Sequence, residues 1–365
     1  MIINKEESIS TLLKNFINSQ PAVEIAFLYS RQGLLISKYG KLSLEGGAIK
    51  TDEVEQVHGA IASLVESLIS KISLEYKSGH FGTGSFDTPD NRIIFLEAGP
   101  DAILLCVCNY EANFNKIFPI AYLVVEKIAQ LLEESFDYNH NSLEIPDLAI
   151  NDNYSLNLDH HKVDDEVIGN IKLKHHIKLV ENRKKNFKLI VLGSSAVGKT
   201  TLINSFLKKS KVRDYRPTLG ISLSTKKYYV QGFKDDIISF LIYDLAGQEF
   251  FKRVRHEYYY GAHCVFVVYD ITRKETFDEA IDFWFKDARD ELGDIPFVLI
   301  GNKIDLGEKR QVSKQEGLEK AEELRSFFIE TSALKNINVQ DTFKLIGIGL
   351  FFKTFEEVER LNINK

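Results

Sequence analysis

The chain carries two different registers of hydrophobic patterning. In the first, Ile9, Leu12, Leu13, Phe16 and Ile17 recur at helical spacing and predict a helix over 5–18, ended by Pro21. Residues 23–29 and 34–36 read as two strands split by the turn Arg31-Gln32-Gly33, hence a hairpin. Val54, Val57, Ile61, Leu64, Val65, Leu68, Ile69 and Ile72 trace one long amphipathic stripe. Strands are expected at 82–86, 92–97 and 102–108, the last two joined at Gly99-Pro100-Asp101. Ile117, Ile120, Ala121, Val124, Val125, Ile128, Leu131 and Leu132 then predict a closing helix. The order α-β-β-α-β-β-β-α over 1–136 implies an antiparallel sheet with helices on its faces.

From 137 to 186 the periodicity fades and Asn, Asp and His accumulate, so this stretch is expected as a linker, partly ordered at most. His160-His161 and His175-His176 have no correctly spaced partner and read as solvated linker histidines rather than metal ligands. From 187 onward, short apolar runs alternate with helical stripes. Strands are expected at 187–192, 223–230, 237–243, 265–269, 297–300 and 328–330. Helices are expected at 199–209, 250–259, 274–292, 313–326 and 338–361. This pattern predicts an α/β domain over 187–365 with a mostly parallel six-stranded sheet and helices on both faces. Such sheets bind ligands beyond the carboxyl ends of their strands.

Composition narrows the picture. The 365 residues carry a formal net charge of −6, so no basic field drives nucleic-acid binding. No apolar run approaches the roughly 18 residues needed to span a bilayer. The opening residues lack a signal-peptide core, and Ile2 stands where myristoylation needs glycine. The last residues hold no cysteine for a prenyl group, so no lipid anchor is expected, and the chain reads as cytoplasmic. Three cysteines do not make a disulfide framework; Cys106 and Cys108, two apart in an apolar run, read as a buried thiol pair.

The candidate chemistry lies in the second half. Gly193-Ser194-Ser195-Ala196-Val197-Gly198-Lys199-Thr200 fits G-x-x-x-x-G-K-[ST], after a predicted strand and at the start of a predicted helix. In that context the glycines let backbone N–H groups wrap a phosphate, and the helix N-terminus adds partial positive charge. Lys199 would reach the β- and γ-phosphates and the Thr200 hydroxyl would bind Mg²⁺. Thr201 follows in the same loop-to-helix turn. Asn302-Lys303-Ile304-Asp305, after the strand 297–300, sets the base. The Asp305 carboxylate can accept from the N1–H and exocyclic amine of guanine, whereas adenine offers no such donor pair. Ser332 can brace Asp305, and Ala333 can offer its N–H to the guanine oxygen, with Leu334 beside them. Asp244 ends the strand 237–243 and is placed to hold Mg²⁺ through water. Gly247 admits the γ-phosphate, and Gln248 can orient an attacking water. Thr218 supplies a further Mg²⁺ ligand.

Taken together, the segments GSSAVGKT, YRPTLG, DLAGQE, NKID and ETSAL resemble the Ras superfamily of small GTPases, in order and at near-family spacing. The run Tyr258 to Asp270 looks most like its Rab and Ras branches. The resemblance implies a P-loop G domain that binds GTP or GDP with Mg²⁺ and hydrolyses GTP. It puts Thr200, Thr218 and Asp244 on the metal and Gln248, Lys199 and Thr218 in catalysis. GTPase-activating and effector proteins are the expected partners. Two positions depart from the family. Lys211 stands where an aromatic residue often packs on the base. Tyr215 stands where Gα proteins carry an internal arginine finger, a group worth roughly 10³–10⁵ in rate. Slow intrinsic hydrolysis, accelerated by a partner, is the expectation.

The first half resembles the roadblock family by pattern: Phe27 to Ile36 its first hairpin, 54–72 its central helix. Longin domains share much of this topology but begin with the hairpin, so the leading helix favours roadblock. That resemblance implies an interaction module that regulates the switch and can pair two chains. Two alternatives stay open: a nucleotide-stabilised scaffold with negligible turnover, or a switch whose first half senses a small ligand.

Overall fold

A computed structural model describes residues 5–40, 83–87, 91–110, 112, 114–138, 141–146, 166–168, 171–175, 184–208, 221–229, 237–245 and 257–363. Helix α1 (Lys5–Ser19) buries all five residues of its apolar stripe, Ile9 through Ile17. Strands β1 (Val23–Ser30) and β2 (Leu35–Gly40) pair antiparallel across a turn at Gly33, whose φ of +80° is cheap only for glycine. Next come β3 (Thr83–Asp87), β4 (Asn91–Glu97), β5 (Ala102–Asn109) and α2 (Phe114–Leu132). The stripe 54–72 lies outside the described residues.

Part of the expected linker is structured. Leu143 and Ile145 pack against the first core, and Asn15 donates to the Leu143 carbonyl at 3.0 Å. Strands β6 (Glu166–Ile168) and β7 (Ile171–His175) form a hairpin whose second strand pairs with β3. The antiparallel sheet therefore runs β2-β1-β5-β4-β3-β7-β6, and the hairpin supplies the hydrogen bonds that edge β3 would otherwise leave open. Cys106 and Cys108 sit on one buried face of β5, as their spacing predicts, and burial pushes the Cys108 thiol up to about 12.

The second half forms a six-stranded sheet in the order β13-β12-β11-β8-β10-β9. Its strands are β8 (Lys184–Leu192), β9 (Ile221–Tyr229), β10 (Ile237–Leu245), β11 (Cys264–Asp270), β12 (Phe297–Asn302) and β13 (Phe327–Thr331). Every pairing is parallel except β9 with β10, which confirms the mostly parallel sheet. The helices are α3 (Lys199–Phe206), α4, α5 (Lys314–Glu323) and α6 (Val339–Ile363). Helix α4 differs from the continuous α-helix expected over 274–292. It is α-helical over Lys274–Glu279, π-helical over Ala280–Phe285 and α-helical again over Lys286–Leu292.

Two apolar clusters hold the layers. Phe277, Ile281, Trp284 and Phe285 of α4 and Ala321 of α5 pack with Ile190, Val265 and Val267 on one face of the parallel sheet. On the other face, Phe206 of α3 and Phe343 of α6 stack at 3.9 Å over Phe240 and Phe266. That second cluster continues through α2 and α1 to β1, β4 and β5 of the antiparallel sheet. Among the described residues, no helix is long and apolar enough to cross a membrane.

Candidate functional site

Parallel register builds the site by aligning strand ends. Asp244 of β10 stands opposite Val191 of β8, Asp270 of β11 opposite Asn302 of β12, and Asn302 opposite Thr331 of β13. Polar residues from four strands thus meet at one rim, where β8 breaks into the loop Gly193–Thr200. That loop turns on left-handed backbone: φ is +137° at Gly193, +60° at Ala196 and +103° at Gly198. A Cβ on Gly193 would stand 2.1 Å from the Val268 carbonyl oxygen, so only glycine fits against β11.

The loop is closed around its own lysine. Lys199 is 7% exposed, and its Nζ donates to the carbonyls of Gly193 at 2.7 Å and Ser194 at 2.9 Å. Burial lowers its pKa to about 8, with Asp244 partly countering. The Thr200 hydroxyl donates to Asp244 Oδ2, and Asp244 Oδ1 is buried without a hydrogen-bond partner. Burial raises the Asp244 pKa, while Thr200 and Lys199 oppose the shift. An unpaired buried carboxylate oxygen is costly unless a cation or water meets it. A divalent cation beside Thr200 and Asp244, with phosphate in the loop, would satisfy that oxygen and give the Lys199 ammonium an anionic partner. The residues present therefore fit Mg²⁺ and a polyphosphate.

The expected base loops converge on the same place. Asn302 is 1% exposed; its Nδ2 donates to the Val197 carbonyl at 2.9 Å. Its Oδ1 accepts from Thr331 Oγ1 at 3.1 Å and from the Ala333 N–H at 3.0 Å. One side chain thus ties the phosphate loop to both base loops. Lys303, in left-handed backbone at φ +72°, donates to the Ala196 carbonyl at 2.8 Å and pairs with Asp270 at 2.6 Å. Ser332 donates to Asp305 Oδ1, and the Lys335 N–H donates to Ser332 Oγ at 3.0 Å. Leu334 is exposed, as is Thr201.

Several supports escaped the sequence reading. Arg273 bonds Asp270 Oδ2 through Nε and the Ser195 carbonyl through Nη2, each at 3.1 Å. Burial opposes ionisation of Asp270, yet Lys303 and Thr272 hold its carboxyl below the usual range. Ser194 Oγ donates to Glu279 and accepts from Trp284 Nε1 at 3.4 Å. Glu279 and Trp284 are five residues apart, one π-turn, so the π-segment aims both at the same loop residue. Asp270 at its strand end could have been found by position; the π-segment leaves no pattern in sequence. Thr218, Gly247, Gln248 and Lys211 lie outside the described residues.

Comparison with known proteins agrees with this geometry. A family model described as the Ras family matches residues 188–349. Ras-related protein RABA6a of Arabidopsis thaliana is 42% identical over 164 residues, spanning 45% of this chain and 68% of the relative. Ras-related protein RABC2a of the same plant is 37% identical over 167 residues, 45% of this chain and 78% of the relative. The family model's span includes the loop 193–200, the Thr200–Asp244 pair and the loops that hold Asn302 and Ser332, and the chain belongs to the Ras superfamily of small GTPases.

Proposed function

We propose that the second half is a GTP-hydrolysing switch with slow intrinsic turnover. The observation that carries this reading is Asn302, buried and bonded at once to Val197, Thr331 and Ala333. It couples recognition of the base to the conformation of the phosphate loop. In this reading Gly193, Ser194, Ser195, Ala196, Val197 and Gly198 offer backbone to the phosphates. Lys199 leaves the loop carbonyls for the β- and γ-phosphates, and Asp305 pairs with the two guanine donors. Thr200, Thr218 and Asp244 would hold Mg²⁺, which would supply positive charge to the phosphate oxygens. Gly247 meets the γ-phosphate and Gln248 orients the attacking water. No arginine precedes Thr218 by three residues, so an activating partner supplies the missing positive charge.

Leu223, Tyr243 and Tyr258 suit an effector contact. Leu223 is 56% exposed and lies opposite Tyr243, whose ring is 6.2 Å from that of Tyr258. In sequence, Leu223 follows Thr218 and Tyr243 precedes Gly247 and Gln248, the residues this reading assigns to the γ-phosphate side. For the first half, the order β2-β1-β5-β4-β3 behind a leading helix supports a roadblock-like module that regulates the switch and pairs two chains. The test is single-turnover hydrolysis by the full chain. Gln248→Leu should abolish turnover and leave GTP binding intact; unchanged turnover removes Gln248 from the mechanism.

A further inference from the structure

The face between the two halves carries buried charge within its apolar packing. Lys127 and Glu126, on α2 of the first half, meet Asp341 and Lys344 on α6 of the second. Lys127 pairs with Asp341 at 2.7 Å, their side chains 1% and 4% exposed, and Lys344 pairs with Glu126 at 11% and 6%. Lys127 spends its other donors on the carbonyls of Ser142 at 2.6 Å and Glu144 at 3.2 Å. Burial works against the Lys344 ammonium, yet the Glu126 and Asp341 carboxylates lift its pKa above the usual lysine value. Removing such charges from water is costly and is offset only when partners and hydrogen bonds are fixed in register. The buried pairs give this packed face a specific register.

The seat reaches the nucleotide site by two short routes. Tyr228, on β9, donates its hydroxyl to Glu126. Strand β9 begins three residues after Thr218 and runs beside β10, where Ser222 stands opposite Asp244. The second route is α6. Gln340, one residue before Asp341, donates to the last carbonyls of α3, Ser205 at 2.9 Å and Phe206 at 3.2 Å; Lys226 of β9 also donates to Phe206. Helix α3 starts with Lys199 and Thr200. The docked surface therefore touches β9 directly through Tyr228 and reaches α3 only through α6, whose Gln340 holds the last carbonyls of that helix.

We propose that the first half docks in cis as a brake on nucleotide release: seated on α6 and Tyr228, it holds β9 and α3 in the arrangement that retains guanine nucleotide. A partner that lifts it would act as an exchange stimulus. The proposal rests on the reading of the second half as a guanine-nucleotide site. Fixing β9 and α3 beforehand leaves less ordering for nucleotide binding to supply than an undocked tether would.

The test uses the full chain and two conservative variants, Tyr228→Phe and Glu126→Gln, with two readouts: release of a fluorescent GDP analogue, and amide hydrogen exchange along α2 and α6. Each variant removes charge-assisted contacts while keeping side-chain volume. The expected result is release faster by on the order of tenfold, together with faster exchange on both helices. A triple variant, Glu126→Leu/Tyr228→Phe/Lys344→Met, replaces the charges with apolar contacts of similar size and should return both readouts toward wild type. Release unchanged while the helices open, release faster without opening, or neither readout moving would each overturn the brake. Failure of the unaltered chain to retain the GDP analogue would instead refute the nucleotide reading, and hydrogen exchange would still report the docking.

Discussion

Replacing Asn302 with alanine tests whether base and phosphate loops are one mechanical unit. The side chain is 1% exposed, and its loss strands three buried partners: the Val197 carbonyl, the Thr331 hydroxyl and the Ala333 N–H. A buried group left unpaired costs about 1–3 kcal/mol, so the local penalty is roughly 3–6 kcal/mol after partial relaxation. At about 2–4 °C per kcal/mol for a domain of this size, the Tm should fall by roughly 6–24 °C. Affinity should fall as well, because GDP must then order Val197 and Ala333 without the group that joins them. The equivalent of one lost hydrogen bond to two corresponds to roughly ten- to a hundredfold in Kd. Calorimetric melting with and without Mg²⁺-GDP, and titration of GDP at fixed Mg²⁺, measure both quantities. Thr331→Val is the graded control: it removes one of the three bonds and should cost about 1 kcal/mol. An Asn302→Ala protein melting within about 2 °C of wild type, with a Kd within about threefold, would refute the coupling.

Two further outcomes follow from named contacts. Asp305→Ala removes the carboxylate braced by Ser332 and should weaken GDP binding by at least about a hundredfold without improving ATP binding, read by competition titration. Lys226, whose pKa is lowered to about 8 by burial and by Lys208 and Lys344, binds fewer protons folded than unfolded between about pH 8 and 10. Stability of the wild type relative to Lys226→Met should therefore rise with pH across that window; a flat or falling difference in denaturant midpoints contradicts the assignment.

How much was legible in sequence depends on how local the signal was. The phosphate loop, Asn302, Lys303, Asp305, Ser332 and Asp244 were readable because each stands where an apolar strand run stops, and parallel register brings such stops to one rim. The five strands of the first half followed from period and turn residues. The π-segment of α4 did not, because Glu279 and Trp284 gain a common direction only after the helix is packed against Ser194. Strands β6 and β7 escaped because their short runs lie among polar residues and are defined by the edge of β3 they complete. The seat between the halves was invisible for a related reason. Glu126, Lys127, Asp341 and Lys344 carry no local signal of a partner, since they pair only in the folded chain at separations above 200 residues.

The central claim is that the rim of the parallel sheet recognises guanine and polyphosphate together. Titration calorimetry of the purified full chain with GDP, GTP and ATP, each with Mg²⁺, addresses it directly. Micromolar or tighter binding of both guanine nucleotides, with ATP weaker by at least about a hundredfold, is the predicted result. No binding of GDP or GTP, or equal affinity for ATP, would contradict it.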